Sequence, residues 1–339
     1  MVMRIWLRRS VLKPSLSKLF LLLLLCALCA ACARDGATAA PVATASPSAH
    51  GGQPSTALQL SGLLKQPASL SLANLQSFPK VSVSVNAKPI GAHTFAGTLL
   101  YDVLQQAGVV TESARKNDLL RKAVVVTGSD GYAVAIAWGE LDPAFAQKKI
   151  LLAYEEDGKP LPAADGFARL VVPGDLMAGR YVSNVVSVLV RDPGVWPAPA
   201  QRQATSAFFL VGQLKTPARY DLAALKALKT SEVIIKGVTY SGVLLDDLLQ
   251  HAGMQLKAKK NDFLHKGIVA VGSDGYSCVI ADGEIQPHFG NVQILVAFAA
   301  NGKPLAESDG FARIVVPGDQ KMGRFISNLQ ELQVVELAA

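Results

Sequence analysis

The feature of this sequence that most constrains its fold is a long internal repeat. The segment Gly166 to Asp175 returns 144 positions later as Gly310 to Asp319, and the two copies differ only where Leu170 is replaced by Ile314. Matched Gly-Ser-Asp-Gly-Tyr and Gly-Lys-Pro-Leu segments precede both copies. Solenoid repeats are about 20–50 residues long. A spacing of 144 residues therefore predicts a duplicated domain.

The charge distribution argues against nucleic-acid binding. The chain has 339 residues, 50% of them hydrophobic and 17% charged, which is enough apolar material for two domains of ordinary size. Its net charge is +7, but residues 1–32 contain five basic residues and no acidic one. The remainder has 28 basic and 26 acidic residues, and this balance gives no electrostatic case for a nucleic-acid partner.

Residues 1–32 are predicted to be an export signal. A basic segment precedes an apolar run that begins with Leu19 to Leu25, and the run is short for a membrane-spanning helix of about 20 residues. The segment Arg8 to Lys13 resembles a twin-arginine signal, whose route carries folded proteins. An ordinary signal peptide with two arginines is the alternative.

Cys32 is a candidate lipidation site. It follows Cys29-Ala30-Ala31, which resembles a lipoprotein cleavage box, although Cys29 stands where an apolar residue is expected. Lipidation would tether the domains to a membrane. Cleavage after Ala39 is the alternative and would release them. Beyond Cys32 the sole cysteine is Cys278, so no internal disulfide is expected.

Composition and the repeat together divide the remainder of the chain. Residues 33–56 are rich in Ala, Thr, Ser, Pro and Gly and predict a flexible tether. Residues 57–191 and 207–337 are the two predicted domains, and the proline-rich residues 192–206 predict a stiff linker between them.

Hydrophobic periodicity predicts mostly strands within each domain. Val81 to Val85 alternates as a half-buried strand does, whereas Ala133 to Ala137 has no polar face and is expected to be covered on both sides. Gly97 to Ala107 predicts a helix, and Asp157-Gly158 predicts a hairpin turn. Other strands are expected at 58–62, 123–127, 150–154, 168–172 and 185–190. Strands with one main helix per repeat predict the α+β fold class.

The ordered motifs of each repeat resemble one known family. A glycine precedes a leucine-rich helix, and a Ser-Asp-Gly-Tyr turn and a Gly-Lys-Pro-Leu hairpin follow. Then come Phe-x-Arg-x-Val-Val-Pro-Gly-Asp and a Gly-Arg pair. This order is similar to the molybdopterin-binding domain of the sulfite oxidase superfamily, and the resemblance implies two tandem domains of that type.

The same resemblance implies a molybdenum ligand that this sequence lacks. In the family, a cysteine upstream of the helix holds the metal. The corresponding regions, 78–94 and 228–240, contain no cysteine. A thiolate is the soft ligand that such a site needs. Cys278 lies elsewhere in the motif, where Val134 is its counterpart, and is expected to be a small buried hydrophobic residue.

Four arginines are candidate cofactor-binding residues. Arg180 and Arg324 follow a glycine-rich loop, and a guanidinium group can bind a pterin phosphate or another oxyanion. The alternative is an ion pair with the aspartate of the same loop. The loop is not a nucleotide phosphate loop, because it lacks the Lys-Ser/Thr pair and the following helix. Arg169 and Arg313 lie in apolar strands, so each is expected to need a partner or a ligand.

The Ser-Asp-Gly-Tyr turns supply the other candidate residues, Asp130, Tyr132, Asp274 and Tyr276. Each tyrosine could stack on a flat heterocycle, with core packing as the alternative. Each aspartate could bind ligand, although a turn explains it equally, with Asp accepting from its own backbone and Gly supplying positive φ. No Ser/His/Asp set or histidine pair with ligand spacing indicates a hydrolase or a zinc enzyme.

Two functional hypotheses follow from the sequence. The first is an exported, metal-free module that binds a small anionic, pterin-like ligand or a protein partner. The second is a molybdopterin-dependent oxidoreductase or a subunit of one. The expected cofactor is molybdopterin without protein-ligated molybdenum, or none, and the expected location is the periplasm or a membrane to which Cys32 is anchored.

Overall fold

The computed structural model describes residues 53–194, 196 and 200–338. The predicted export signal and Cys32 lie outside the described residues. Within the described residues, no helix is long and apolar enough to cross a membrane.

Each repeat contributes ten strands, three short α-helices and three single turns of 3-10 helix to the described part of the chain. The strands of the first repeat are β1 (Ala57–Gly62), β2 (Ala68–Ser71), β3 (Val81–Ala87), β4 (Gly91–Leu99), β5 (Ala123–Gly128), β6 (Ala133–Ala137), β7 (Leu151–Glu156), β8 (Lys159–Pro160), β9 (Arg169–Val171) and β10 (Val185–Arg191). Its helices are α1 (Leu72–Gln76), α2 (Leu100–Ala107) and α3 (Trp138–Leu141).

The second repeat follows in the same order. Its strands are β11 (Ala207–Gly212), β12 (Ala218–Asp221), β13 (Ser231–Ile235), β14 (Val238–Leu244), β15 (Lys266–Gly272), β16 (Ser277–Ala281), β17 (Leu295–Ala300), β18 (Lys303–Pro304), β19 (Arg313–Val315) and β20 (Leu329–Glu336). Its helices are α4 (Leu222–Lys226), α5 (Leu245–Ala252) and α6 (Asp282–Ile285).

Both repeats have the same two five-stranded sheets. In the first repeat one sheet has the order β2-β1-β10-β5-β6, and the other has the order β3-β4-β7-β8 with β9 also paired to β7. The second repeat reproduces both orders with β11 to β20. Among the strands of the described residues, only the β1–β10 and β11–β20 pairs are parallel. The predicted α+β class and the tandem duplication of one domain architecture are therefore confirmed.

The main helix begins later than its sequence pattern predicts. The helix α2 starts at Leu100, and residues 97–99 instead end β4. The cause is a close approach of two strands, because a Cβ on Gly97 would lie 2.2 Å from the carbonyl oxygen of Leu152 on β7. Glycine is used here because a backbone passes where a side chain would stand. The strand β4 upstream was not predicted.

The predicted hairpin turn at Asp157-Gly158 is present between β7 and β8. Both residues have positive φ, at 50° and 76°. Positive φ at both central positions is the geometry of a type I′ turn, which Asp-Gly favours.

The strand with no polar face is covered by the other repeat. Every residue of β6 is buried, with Val134 and Ile136 in the core of the first repeat. On the opposite face, Ala135 and Ala137 pack in a cluster with residues of the second repeat that include Val279 and Ala281. The prediction that this strand is covered on both sides is confirmed, and the covering partner is the duplicate domain.

Candidate functional site

The two Ser-Asp-Gly-Tyr turns form alike. Asp130 Oδ1 accepts a hydrogen bond from the backbone N–H of Tyr132 at 2.9 Å, and Asp274 Oδ1 accepts one from Tyr276 at 3.0 Å. The glycine between them has a φ of 79° in both turns. The aspartates thus fix the local backbone and present the tyrosine side chains.

The tyrosine hydroxyls link the two repeats. Tyr276 donates to the carbonyl of Gly323 at 2.6 Å and accepts from Asn117 Nδ2 of the first repeat at 2.7 Å. Tyr132 makes the equivalent bonds to Gly179 and from Asn261. Burial raises the pKa of Tyr276 to about 12, so the phenol stays protonated and can donate.

A cavity of about 520 Å³ opens beside Tyr276, at the boundary between the repeats. Its volume is within the range of about 300–1,000 Å³ that is typical of small-molecule sites. The cavity is lined by charged and polar side chains from both repeats and the linker, and by the loop before Arg324, including Lys116, Asn117, Arg202, Asp274, Tyr276 and Lys321.

The lining of this cavity is more basic than acidic. Arg202 binds Asp274, with its Nη2 2.7 Å from Oδ2, and so neutralises the acidic side chain of the lining. Lys116 and Lys321 add two further positive charges. An anion is the ligand that this arrangement attracts. The counterpart of Lys321 in the first repeat is Met177, so the second repeat has the stronger positive field at this position.

The strand arginines Arg169 and Arg313 have partners within their own repeats. Arg313 Nη1 lies 2.8 Å from Asp309 Oδ1, and its guanidinium stands over the ring of Phe325 at 5.5 Å. Arg169 Nη1 lies 3.5 Å from Asp165 Oδ2, and its guanidinium stands over the ring of Phe95 at 5.5 Å. The Nε atoms of both arginines are buried without a hydrogen-bond partner. Each side chain therefore keeps one buried donor without a partner in its own repeat.

Arg180 is fully buried between two carboxylates. Its Nε and Nη2 donate to Asp175 at 2.7 and 2.6 Å, and its Nη1 donates to Glu140 of α3 at 2.7 Å. Lys148 also binds Glu140, at 3.0 Å. Burial opposes ionisation of Glu140, but Arg180 and Lys148 outweigh it and lower its pKa to about 2. The ion pair within the loop, which the sequence left as the alternative, is thus present.

Arg324 is buried in the same way in the second repeat. Its Nε and Nη2 donate to Asp319 at 2.8 and 2.5 Å, and its Nη1 donates to Glu284 Oε1 of α6 at 2.7 Å. Glu284 Oε2 is buried without a partner. The residue in place of Lys148 is Val292. Burial raises the pKa of Glu284, Arg324 lowers it, and the charge of nearby Glu140 raises it further.

The structure brings some of the predicted site residues together and separates others. Asp274 and Tyr276 line the cavity, whereas Arg324 and Arg180 direct their guanidinium groups to internal carboxylates. Lys116 could not be predicted as a site residue, because it belongs to the first repeat whereas Asp274 and Tyr276 belong to the second, and no sequence motif joins them. Lys321 could have been predicted, because aligning the two repeats places a charged lysine opposite the apolar Met177.

The buried thiol Cys278 does not lie in the cavity lining. It is fully buried on β16, and its Sγ lies 4.0 Å from the carbonyl oxygen of Arg324. Burial raises its pKa to about 12, so the thiolate form is strongly disfavoured at neutral pH.

Comparison with known proteins identifies the family of this fold. A family model described as the oxidoreductase molybdopterin binding domain matches residues 47–192 and again residues 215–336. This chain belongs to the oxidoreductase molybdopterin-binding domain family. The family match falls on both copies, so the predicted resemblance is confirmed for each repeat.

Two named relatives share part of this molybdopterin-binding fold. The chain is 29% identical over 223 residues to the mitochondrial sulfite oxidase of Rattus norvegicus, covering 52% of this chain and 39% of that protein. It is 27% identical over 182 residues to the nitrate reductase [NAD(P)H] of Hordeum vulgare, covering 45% of this chain and 20% of that protein. The chain therefore spans well under half the length of either relative.

A solved structure was also compared with this molybdopterin-binding chain. The sulfane dehydrogenase SoxCD from Paracoccus pantotrophus aligns with 72% of this chain and 61% of its own, at 14% identity and a TM-score of 0.34.

The residues present fit the organic part of the family cofactor better than a metal. Lys116 and Lys321 can neutralise a phosphate in a cavity of about 520 Å³. Cys278 is the only thiol among the described residues, and its burial and high pKa do not fit a metal–thiolate bond. The donor set of this cavity thus favours an anion and offers no thiolate ligand for a metal.

Proposed function

We propose that this chain is an exported, metal-free binding module of the molybdopterin-binding domain family. Its ligand is a small anion of pterin-like chemistry, which binds in the cavity of the second repeat beside Tyr276. Lys116 and Lys321 neutralise the anionic group, and Tyr276 provides an aromatic wall.

One observation carries this proposal: the cavity combines positive charge from both repeats with a lining that contains no thiol. Charged and aromatic groups bind an anionic heterocycle without any metal bond. Arg180 and Arg324 are bound to internal carboxylates, so Lys116 and Lys321 are the residues that neutralise the anion.

Binding is tested by titrating the purified chain with a phosphorylated pterin and following heat or pterin fluorescence. Lys321→Met, which installs the residue of the first repeat, is expected to weaken binding by about tenfold because one charge–phosphate contact is lost. Lys303→Met is the matched control, since Lys303 lies on the exposed strand β18 outside the cavity lining. Equal affinity of the Lys321→Met and Lys303→Met variants would exclude this cavity.

A molybdopterin-dependent oxidoreductase, or a subunit of one, is the second candidate. The family match and the relatives named sulfite oxidase and nitrate reductase favour it. The two candidates are separated by assaying molybdenum and released pterin in protein from the exported fraction of a molybdenum-replete host. Stoichiometric molybdenum would overturn the metal-free proposal, whereas pterin without metal would support it.

The export part of the proposal rests on residues 1–32 alone. Replacing Arg8 and Arg9 with lysines is expected to block export if the twin-arginine route is used. Labelling with a radioactive fatty acid, compared between the native chain and Cys32→Ser, tests the lipid anchor. Normal export of the lysine variant would reject the twin-arginine route.

A further inference from the structure

A separate cluster of ionisable side chains lies outside the cavity lining, where the last strand meets the turn before β15. Asp262 and His265 belong to a single turn of 3-10 helix, and Glu336 ends β20. His265 Nδ1 lies 3.8 Å from Asp262 Oδ1 and 3.8 Å from Glu336 Oε1. These separations exceed the hydrogen-bond range of about 2.7–3.2 Å. The three atoms therefore face one another without bonding.

The other oxygen of each carboxylate is already held. Glu336 Oε2 lies 2.7 Å from Lys266 Nζ and 3.0 Å from Lys257 Nζ. Asp262 Oδ2 accepts from the backbone N–H of Lys257 at 2.9 Å and lies 3.5 Å from Lys266 Nζ. These contacts fix the carboxylates with one oxygen each turned towards His265.

The inward oxygens are buried and unpaired. Asp262 Oδ1 and Glu336 Oε1 have no hydrogen-bond partner, although the side chain of Asp262 is only 1% exposed. The Nε2 atom of His265 is also buried without a partner, so no acceptor within the described chain fixes the ring as a proton donor. Unpaired buried carboxylate oxygens are costly, and a cation between them would remove that cost.

The first repeat shows a cation at the same position. The counterparts of Asp262, His265 and Glu336 are Asp118, Arg121 and Asp192, 144 positions earlier. Arg121 Nη1 donates to Asp118 Oδ1 at 2.9 Å, and its Nη2 lies 4.0 Å from Asp192. Asp118 Oδ1 is the equivalent of the unpaired oxygen of Asp262. The guanidinium is thus replaced in the second repeat by a shorter side chain with a metal-binding nitrogen.

We propose that Asp262 Oδ1, His265 Nδ1 and Glu336 Oε1 bind a divalent transition-metal ion such as Zn²⁺, in the place that the Arg121 guanidinium takes in the first repeat. Imidazole nitrogen and carboxylate oxygen bind Zn²⁺ at about 2.0–2.2 Å. Tetrahedral donors at that radius lie about 3.3–3.5 Å apart, so the two 3.8 Å separations from His265 Nδ1 need to close by about 0.3–0.5 Å. The two carboxylate oxygens lie within 4.8 Å of each other and need to close by at most about 1.5 Å. The ion ties the end of β20 to the turn before β15.

The test uses the full chain after dialysis against EDTA, titrated with ZnCl₂ by calorimetry and with Co²⁺ by visible absorption. The wild-type chain is expected to bind one equivalent and to gain thermal stability with Zn²⁺. His265→Arg installs the first-repeat residue and is expected to weaken Zn²⁺ binding by at least 100-fold, since a direct ligand is lost. Its melting temperature without metal should equal or exceed that of the wild type.

Two further variants keep the test decisive. Asp262→Asn removes a carboxylate ligand instead of the imidazole and should also abolish Zn²⁺ binding. His93→Val is the control, because His93, Glu156 and Asp157 form another group of possible ligands, in which both ring nitrogens of His93 already have acceptors. The proposal is overturned if the wild type binds no Zn²⁺, if His265→Arg binds it as tightly, or if His93→Val loses it.

Discussion

The two repeats bury the same arginine in different electrostatic surroundings. Arg180 shares Glu140 with a second cation, Lys148, whereas no lysine of the second repeat contacts Glu284, because Val292 replaces that lysine. Within the described residues, Glu284 is in direct contact with Arg324, and the charge of Lys148 acts on it only from a distance. The two groups interact, since the charge of Glu140 raises the pKa of Glu284. Together they contain three bases and four acids. With every group ionised there is one negative charge in excess, and it falls on the second repeat, where the pKa of Glu284 is raised.

This difference shows how a duplicated pair of domains can become one unit. A Cβ on Gly139 would lie 2.4 Å from Arg324 Cδ, and one on Gly283 would lie 2.7 Å from Arg180 Cδ. Each buried arginine thus packs against a glycine of the opposite repeat. Lys148 of the first repeat therefore lowers the pKa of Glu140 in its own repeat and of Glu284 in the other. A domain that stood apart could not share a lysine in this way.

The largest expected effect comes from removing the arginines themselves. Arg324→Leu leaves Asp319 and Glu284 buried without their cation, and such a change costs about 3–5 kcal/mol. Arg180→Leu is expected to cost less, because Lys148 remains 3.0 Å from Glu140 and 3.7 Å from Asp175. Urea unfolding of both variants at neutral pH measures the comparison. Equal losses would mean that Lys148 contributes nothing to the difference.

The next largest effect concerns Glu140 and Glu284, whose pKa values are shifted in opposite directions. The pKa of Glu140 is about 2, below its unfolded value of 4.5, so its ionisation stabilises the fold above pH 4.5 and this contribution is lost as the pH falls towards 2. Glu140→Gln is therefore expected to cost about 3 kcal/mol at pH 7. The pKa of Glu284 is raised, so its ionisation costs stability as the pH rises above 4.5.

Glu284→Gln is accordingly expected to be neutral or stabilising at pH 7, and to change stability in the opposite direction to Glu140→Gln. Urea midpoints at pH 7.5 and pH 4 provide the measurement, and the gap between the two variants should narrow at pH 4. A larger loss for Glu284→Gln than for Glu140→Gln would contradict the assignment of the excess charge to the second repeat.

A smaller effect tests the contact between the repeats. Gly139→Ala should displace Arg324 and Gly283→Ala should displace Arg180, at about 1–3 kcal/mol each, because overpacking a close contact is destabilising. Combining Gly139→Ala with Arg324→Leu should give less than the sum of the single losses, since the clash then disappears. Additive losses in this double-mutant cycle would mean that these two residues do not touch.

The sequence predicted the part of this molecule that depends on local pattern. The alternation of Val81 to Val85 and the apolar run of Ala133 to Ala137 are visible in the chain itself, and so is the Asp157-Gly158 turn. The start of α2 could not be predicted, because it depends on the distant β7 backbone that passes Gly97.

The candidate site was harder to predict from the sequence, because it also depends on residues that are distant along the chain. Its charges come from Lys116 in one repeat, Lys321 in the other and Arg202 in the linker, and no sequence motif joins them. The ion pair of Arg180 with Asp175 was foreseeable from their spacing in one loop. Its second partner, Glu140, was not, because it lies 40 positions away.

The smallest expected effect concerns the tyrosines, which should behave alike in stability and differently in binding. Tyr132→Phe and Tyr276→Phe each remove a hydroxyl that donates to a loop carbonyl and accepts from an asparagine of the other repeat. The expected cost is about 1 kcal/mol in either repeat. Only Tyr276→Phe alters the lining of the cavity, so only this variant should change the affinity for a phosphorylated pterin. Paired urea and binding titrations measure both quantities. Equal changes in pterin affinity would show that the cavity of the second repeat has no special role and that the two repeats are functionally equivalent.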